Sequence, residues 1–115
     1  MELASMTCTP NIEGISPLTR KEVFDLRHEV AGWSLADGRL TRRFALKSFQ
    51  ECLDFIGEIA GLAAQQGHFP DIAITEQRYV EIAWYSYACG GLTLNDFIMA
   101  AKINSRAFTR SGMQI

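Results

Sequence analysis

The sequence predicts an α+β fold, a two-layer sandwich in which a four-stranded antiparallel sheet carries its helices on one face. Two observations lead to this class. Apolar residues recur at helical spacing in three segments, and they alternate with period two in two pairs of shorter runs. The predicted order is therefore α-β-β-α-β-β-α, and four strands in one sheet with the helices gathered on one side make such a sandwich.

The first elements are a helix and a hairpin. Thr19 and Glu22 have the spacing of a capping box, and the apolar residues that follow predict a helix over residues 19–30. From Trp33 the period changes to two, and an Asp-Gly pair at positions 37 and 38 separates two alternating runs. Because Asp-Gly favours tight hairpin turns, these runs are predicted to be paired strands.

The longest periodic segment predicts the second helix. Ser48 and Glu51 form another capping box at its start, and apolar residues occupy one broad face of the segment that follows. The helix is predicted to end at Gly67, since glycine readily adopts the left-handed backbone angles of a helix terminus.

The remaining elements are a second strand pair and a last helix. Residues 72–74 predict a short strand, residues 76 and 77 a turn, and residues 79–87 a long strand that is aromatic on both faces. Thr93 with Asp96 can then cap a final helix.

The length and composition exclude several classes of protein. The chain is predicted to be one domain, residues 1–115, with a folded core at about residues 18–104 and both termini loosely held. A formal net charge of −2 provides no basic field for nucleic acid, and no window has the roughly 18 apolar residues of a membrane span. The three cysteines have no disulfide or metal-ligand spacing. We therefore expect a cytoplasmic protein with no metal, cofactor, nucleic acid or membrane partner.

One segment carries a recognisable motif. It contains His68, Phe69 and Pro70 after a glycine, then a pair of glycines, then Asp96 in the predicted last helix. This pattern resembles the pterin-4a-carbinolamine dehydratases, in which the first block reads His-His-Pro, a third His stands three residues before the paired glycines, and an Asp follows. The resemblance covers nearly the whole chain. It implies the same fold and homo-oligomers, dimers or tetramers, in which sheets or helices of neighbouring chains pack together.

The active-site residues of that family carry over in part. His68, Pro70 and Asp96 keep the pattern, whereas Phe69 stands at the second His and Tyr87 at the third. Dehydration of a carbinolamine requires a general acid and a base, and imidazoles suit both tasks near neutral pH. The resemblance implies His68 as an acid or base and Asp96 as its orienting partner. Phe69 cannot transfer protons, and Tyr87 is a poor base at neutral pH.

Structural roles are the alternative for these two polar residues. His68 can cap the end of the preceding helix or hydrogen-bond the following turn. Asp96 stands three residues after Thr93, where a carboxylate caps a helix whatever the protein does.

A second group of residues is a candidate protein interface. It consists of aromatic and basic residues of the predicted strands: Arg39, Arg42, Arg43, Tyr79, Trp84, Tyr85 and Tyr87. Tyrosine and arginine are common anchors of interfaces, so these residues are predicted to contact a neighbouring subunit or a protein client. The alternative for the arginines is a solvated strand.

The sequence leaves two functions open. The loss of two imidazoles favours a non-catalytic protein that acts through protein contacts, and the resemblance points within this class to the pterin-dehydratase-like Rubisco assembly factors of α-carboxysome bacteria. These are dimeric chaperones of Rubisco subunits, so that function implies carboxysome association. The alternative is an active 4a-hydroxytetrahydrobiopterin dehydratase, a hydro-lyase that binds a pterin and recycles tetrahydrobiopterin.

Overall fold

The structure is a computed structural model that describes residues 2–10 and 12–107. The strands are β1 (Ser34–Ala36), β2 (Arg39–Ala45), β3 (Asp71–Thr75) and β4 (Tyr79–Trp84). They form one antiparallel sheet in the order β1-β2-β4-β3. The helices are α1 (Arg20–Leu26), α2 (Phe49–Gln66) and α3 (Leu94–Ala107), with short 3₁₀ helices at Leu3–Ser5 and Arg27–Glu29. The predicted α+β class and the predicted order of these elements are confirmed.

Tight turns close both hairpins. The central residues of the first turn are Asp37, with a φ of 52°, and Gly38, with a φ of 74°. The second turn has Glu76 and Gln77 at φ values of 52° and 66°. Two successive left-handed residues match the twist of the strands that they join, so local turn geometry sets the antiparallel pairing.

Helix caps set the helix boundaries. Thr19 accepts the backbone N–H of Glu22, and the Glu22 carboxylate accepts the backbone N–H of Thr19, so the predicted capping box is present. The α-helix ends at Leu26, earlier than predicted, because the next turn tightens into a 3₁₀ helix. α2 ends where predicted, at Gly67, whose φ of 71° is left-handed. This end places His68 directly after the longest helix.

The hydrophobic core lies between the sheet and the helices. Its sheet side consists of fully buried residues on β2 and β4: Leu40, Phe44, Val80, Ile82 and Trp84. Helices α2 and α3 supply the other side. Since Trp84 belongs to this core, its prediction as an interface residue is wrong. The opposite side of the sheet, which we call the outer face, carries the alternate residues of the same strands, including Arg39, Arg43, Tyr79 and Glu81.

Arg42 is the one charged residue on the buried side of β2, and its side chain is only 6% exposed. Its Nη1 donates hydrogen bonds to Oδ1 of Asn104 and to the carbonyl oxygen of Ala31. Trp33 donates its indole N–H to the same Asn104 oxygen at 2.8 Å. Burial lowers the pKa of Arg42. The prediction of Arg42 as a surface anchor is therefore wrong, because its guanidinium lies inside the fold.

The amino-terminal segment packs on α3. Leu3 is buried in the core. Further along, the Thr9 backbone N–H donates to Oδ1 of Asn95 at 2.8 Å, and the Asn95 amide donates back to the Thr9 carbonyl at 2.9 Å. The prediction of a loosely held amino terminus is thus wrong for residues 2–10. The carboxy terminus was also predicted to be loosely held, and its residues 108–115 lie outside the described residues.

Candidate functional site

A cleft of about 350 Å³ opens beside the end of α2, where the chain leaves β4 and turns toward α3. His68, Phe69 and Tyr87 all line this cleft. They occupy the three histidine positions of the sequence motif. The fold therefore brings the motif together, although Tyr87 is distant from the other two residues along the chain.

His68 is buried at the floor of the cleft. Its ring stacks on the indole of Trp84, with centroids 5.6 Å apart and an angle of 11° between the planes. Its Nε2 lies 2.7 Å from Oδ1 of Asp96, a residue that is fully buried. The structure thus joins the two polar residues that the motif had placed in one candidate site.

Asp96 is held by several hydrogen bonds at once. Its Oδ2 accepts the backbone N–H of Thr93 at 2.9 Å and the hydroxyl of Ser86 at 2.7 Å. Asp96 therefore caps α3 and contacts His68 with the same carboxylate. A carboxylate oxygen accepts hydrogen bonds, so the tautomer of His68 that fits this contact has its hydrogen on Nε2. The other ring nitrogen, Nδ1, is then the atom of His68 that can accept a proton.

Ser86 is a residue of the site that the sequence analysis missed. It is buried, and its hydroxyl also lies 2.8 Å from Oγ1 of Thr93. Its backbone N–H donates to the Gly91 carbonyl at 3.0 Å, which fixes its position in the loop. The sequence did contain a signal for Ser86, because it is a small polar residue inside the aromatic run of residues 79–87.

Phe69 and Tyr87 form the open wall of the cleft, with exposed fractions of 62% and 61%. The Tyr87 hydroxyl donates to Oδ2 of Asp71 and accepts a hydrogen bond from Arg39 Nη1 at 2.9 Å. The hydrogen bond to Asp71 is the main reason why the pKa of Tyr87 is raised, and Arg39 opposes this effect. Tyr87 therefore keeps its proton at neutral pH and does not replace a histidine as a base.

We expect the Tyr87 phenol to titrate above its ordinary pKa of 10.0. Replacing Asp71 with Asn should lower this pKa, since the carboxylate that favours the protonated phenol is removed. The measurement is an ultraviolet difference titration against Tyr87→Phe, with Glu81→Gln as a control on the same face. Because the folded pKa is the higher one, the contact stabilises the fold below pH 10.0 and is lost as the pH rises through the folded value. An unchanged titration in Asp71→Asn contradicts this assignment.

The outer face gathers the exposed part of the predicted interface. The guanidinium carbon of Arg39 lies 4.4 Å from the ring centroid of Tyr85, and that of Arg43 lies 3.8 Å from the ring centroid of Tyr79. Stacking on a ring restricts a long side chain and removes part of its hydration. The arginines and tyrosines therefore form two ordered pairs on one surface.

Residues 2–10 and 12–107 provide no basis for metal binding or for a membrane-spanning helix. No group of three His, Cys, Asp or Glu side chains there could hold a metal ion. No helix in the same ranges is long and apolar enough to cross a membrane. Cys8 and Cys52 are buried, and burial raises the pKa of both thiols, that of Cys8 to about 11. Neither thiol is a nucleophile at neutral pH.

The fold and the cleft together define a pterin-dehydratase-like protein: an α+β sandwich with a His–Asp pair below an aromatic wall. Residues 16–106 match the family model of pterin 4 alpha carbinolamine dehydratase, and the chain belongs to this family.

Several named proteins are similar to the chain. A putative pterin-4-alpha-carbinolamine dehydratase 1 of Cupriavidus pinatubonensis is 42% identical over 92% of each chain. A putative dehydratase of Rubrobacter xylanophilus is 38% identical over 90% of this chain and 96% of its own. A crystal structure of a transcriptional coactivator/pterin dehydratase from Brucella melitensis superposes with a TM-score of 0.70 at 28% identity, over 78% of this chain and 97% of that one.

Proposed function

We propose that this chain is a non-catalytic member of its family and acts as an assembly factor through protein contacts. One observation carries the proposal, namely that the cleft contains a single imidazole, that of His68. Dehydration needs an acid at the leaving hydroxyl and a base at the adjacent ring nitrogen. Phe69 has no ionisable group, and Tyr87 is a poor base at neutral pH because the contact with Asp71 raises its pKa.

The geometry of His68 further limits the proton transfers that this residue can perform. Its Nε2 is engaged by Asp96, which leaves Nδ1 as the nitrogen that can exchange a proton. A single nitrogen carries one proton at a time, so it cannot be acid and base in the same step. The stacking on Trp84 and the bond to Asp96 also link α2, β4 and α3, which is a sufficient structural reason for a buried histidine.

We propose Rubisco subunits in an α-carboxysome context as the client. The support is the resemblance to assembly factors that have lost the family histidines, together with an outer face suited to protein contacts. Arg39 and Arg43 are stacked on tyrosines there, and arginine–aromatic pairs are frequent anchors of interfaces. This client would be held on the outer face, which adjoins the cleft at Tyr85 and Tyr87.

A second candidate function is 4a-hydroxytetrahydrobiopterin dehydratase. The buried pair of His68 and Asp96, oriented by Ser86, favours it because such a pair can hold an imidazole in one tautomer for proton transfer. In this function His68 would transfer the proton, and the exposed rings of Phe69 and Tyr87 would contact the pterin.

Two assays on the purified protein separate these functions. One measures conversion of 4a-hydroxytetrahydrobiopterin, and the other measures capture of Rubisco large and small subunits. Capture without turnover supports the assembly factor. Turnover that is lost in His68→Ala, without capture, supports the dehydratase and contradicts the first proposal. Absence of both contradicts both functions.

We also propose that the chain forms a homodimer through the solvent-facing side of α2. Large apolar residues are exposed at its beginning, Phe49 and Leu53. Gly57 and Gly61 follow on the same side, and a Cβ added to either would meet nothing within 4 Å. Packing inside the chain therefore does not require these glycines, although each glycine weakens a helix by about 1 kcal/mol relative to alanine. In an antiparallel pair of α2 helices, Phe49 and Leu53 of one helix would pack against the glycines of the other.

Replacing Gly57 and Gly61 with Ala should have opposite effects on folding and association. The isolated chain should gain stability, on the order of 1 kcal/mol for each site, because helix propensity rises without an internal clash. Self-association should weaken, because the added methyl groups keep the second helix away. Urea unfolding and sedimentation velocity measure the two effects, with Lys21→Ala at an exposed position of α1 as the control. Unchanged sedimentation would place the dimer contact elsewhere, for instance on the outer face.

A further inference from the structure

An apolar groove of about 350 Å³ lies between α1 and the edge strand β1, away from the cleft and from the outer face. Most of its lining is aliphatic or aromatic: Leu18, Val23, Phe24, Leu35 and Leu92. Phe24 is 55% exposed, although it is one of the largest apolar side chains of the molecule. The groove is therefore a hydrophobic surface that the described part of the chain leaves open.

The position of β1 explains why the groove is open. Leu35 is paired with Leu40 across the hairpin, so both side chains point to the helix side of the sheet. Leu40 is 0% exposed, whereas Leu35 is 43% exposed. The core layer thus stops at β1, because β1 is the edge of the sheet and none of the described residues forms a further strand beside it. One more strand beside β1 would carry side chains into the space next to Leu35.

The lining of the groove also contains one cation. Arg20 lines the groove, and no ion pair or hydrogen bond joins its side chain to any of the described residues. The neighbouring Lys21 differs, since it is paired with Asp25 at 3.0 Å. Arg27 adds a second cation, whose guanidinium carbon lies 4.1 Å from the ring centroid of Phe24. An unpaired cation beside an apolar groove is complementary to an apolar segment that also carries a carboxylate.

We propose that this groove binds an extended, acidic segment of a partner protein, which adds to the sheet beside β1. The outer edge of an edge strand offers unpaired backbone groups, and peptides that add to such an edge place alternate side chains in flanking pockets. An apolar side chain would enter between Leu35 and Phe24, and a nearby carboxylate would contact Arg20. The inference is independent of the proposed function, because it uses no residue of the cleft or of the outer face.

The test uses the full-length protein and a fluorescein-labelled synthetic peptide in which Leu and Thr alternate and a Glu stands at each end. We expect saturable binding by fluorescence anisotropy, with amide shifts at Phe24, Leu35 and Leu92 in nitrogen-15 NMR spectra. A peptide with Lys at both ends should bind at least about tenfold more weakly, since like charges meet at the rim. Arg20→Glu should reverse this preference, whereas Lys21→Glu, a change on the same helix away from the groove, should not.

A second variant tests the groove itself. Leu35→Arg changes an exposed residue, so the fold should survive, and binding of the acidic peptide should fall at least about tenfold through loss of the apolar pocket. Ile15→Arg, at a similarly exposed position outside the groove, is the matched control and should bind normally. Peptide shifts confined to other surfaces, or a preference that survives Arg20→Glu, would overturn the proposal. So would a change in oligomeric state caused by Leu35→Arg, since the groove would then be covered by a second copy of this chain.

Discussion

Turnover of 4a-hydroxytetrahydrobiopterin by the purified chain is expected to be at least about 100-fold lower than that of a family member with all three histidines. The physical reason is that a positioned acid or base contributes roughly 10²–10⁴-fold to such a step. Phe69 and Tyr87 line the same cleft as His68, but Phe69 has no ionisable group and the raised pKa of Tyr87 makes it a poor base at neutral pH. A stopped-flow assay of carbinolamine dehydration measures the rate. Turnover equal to that of the three-histidine enzyme contradicts the non-catalytic function.

Restoring the missing imidazoles extends this test. Phe69→His combined with Tyr87→His should raise the rate by more than either change alone, because acid and base roles can then be divided between different residues. Both side chains are exposed, so the substitutions should leave the fold intact. Tyr79→His is a matched control, since it adds an imidazole to the outer face and not to the cleft. No gain in the double variant would show that the cleft has changed shape as well as chemistry.

The fold was predictable because its signals are local. Thr19 caps α1 through a residue three positions later, and the Asp37-Gly38 turn closes the first hairpin without help from distant residues. Gly67 ends α2 for a similarly local reason. The end of β4 was less predictable: regular pairing stops at Trp84, and the chain continues only through an isolated bridge between Ser86 and Gly91.

Burial of polar side chains was not predictable from the same signals. Arg42 interrupts an apolar strand, which suggested exposure. Its actual partner, Asn104, lies 62 residues away in the sequence and becomes a neighbour only when α3 packs on the sheet. Ser86 reaches Asp96 through a loop whose course no periodicity describes. Contacts of this kind depend on the packing of whole elements, so the motif identified His68 and Asp96 but not the residues that hold them.

The outer face makes the assembly-factor function open to a direct test. Arg39 is paired with Asp71 at 3.5 Å and Arg43 with Glu76 at 3.4 Å, in addition to their stacking on tyrosines. These exposed ion pairs contribute little to stability, so reversing the arginine charges should leave the fold intact. In a complex, however, the same groups would steer association and anchor the contact.

We therefore expect Arg39→Glu combined with Arg43→Glu to weaken capture of Rubisco subunits by at least about 100-fold. Circular dichroism and sedimentation should show an unchanged fold and oligomer. Lys21→Glu is the control for net charge, and Arg42 is left intact because its buried cation would be lost together with its bonds to Asn104 and Ala31. If the wild type captures neither subunit but binds a pterin saturably and in a manner that depends on His68, the dehydratase function replaces the assembly factor. Capture that survives the double charge reversal would move the client to a different surface.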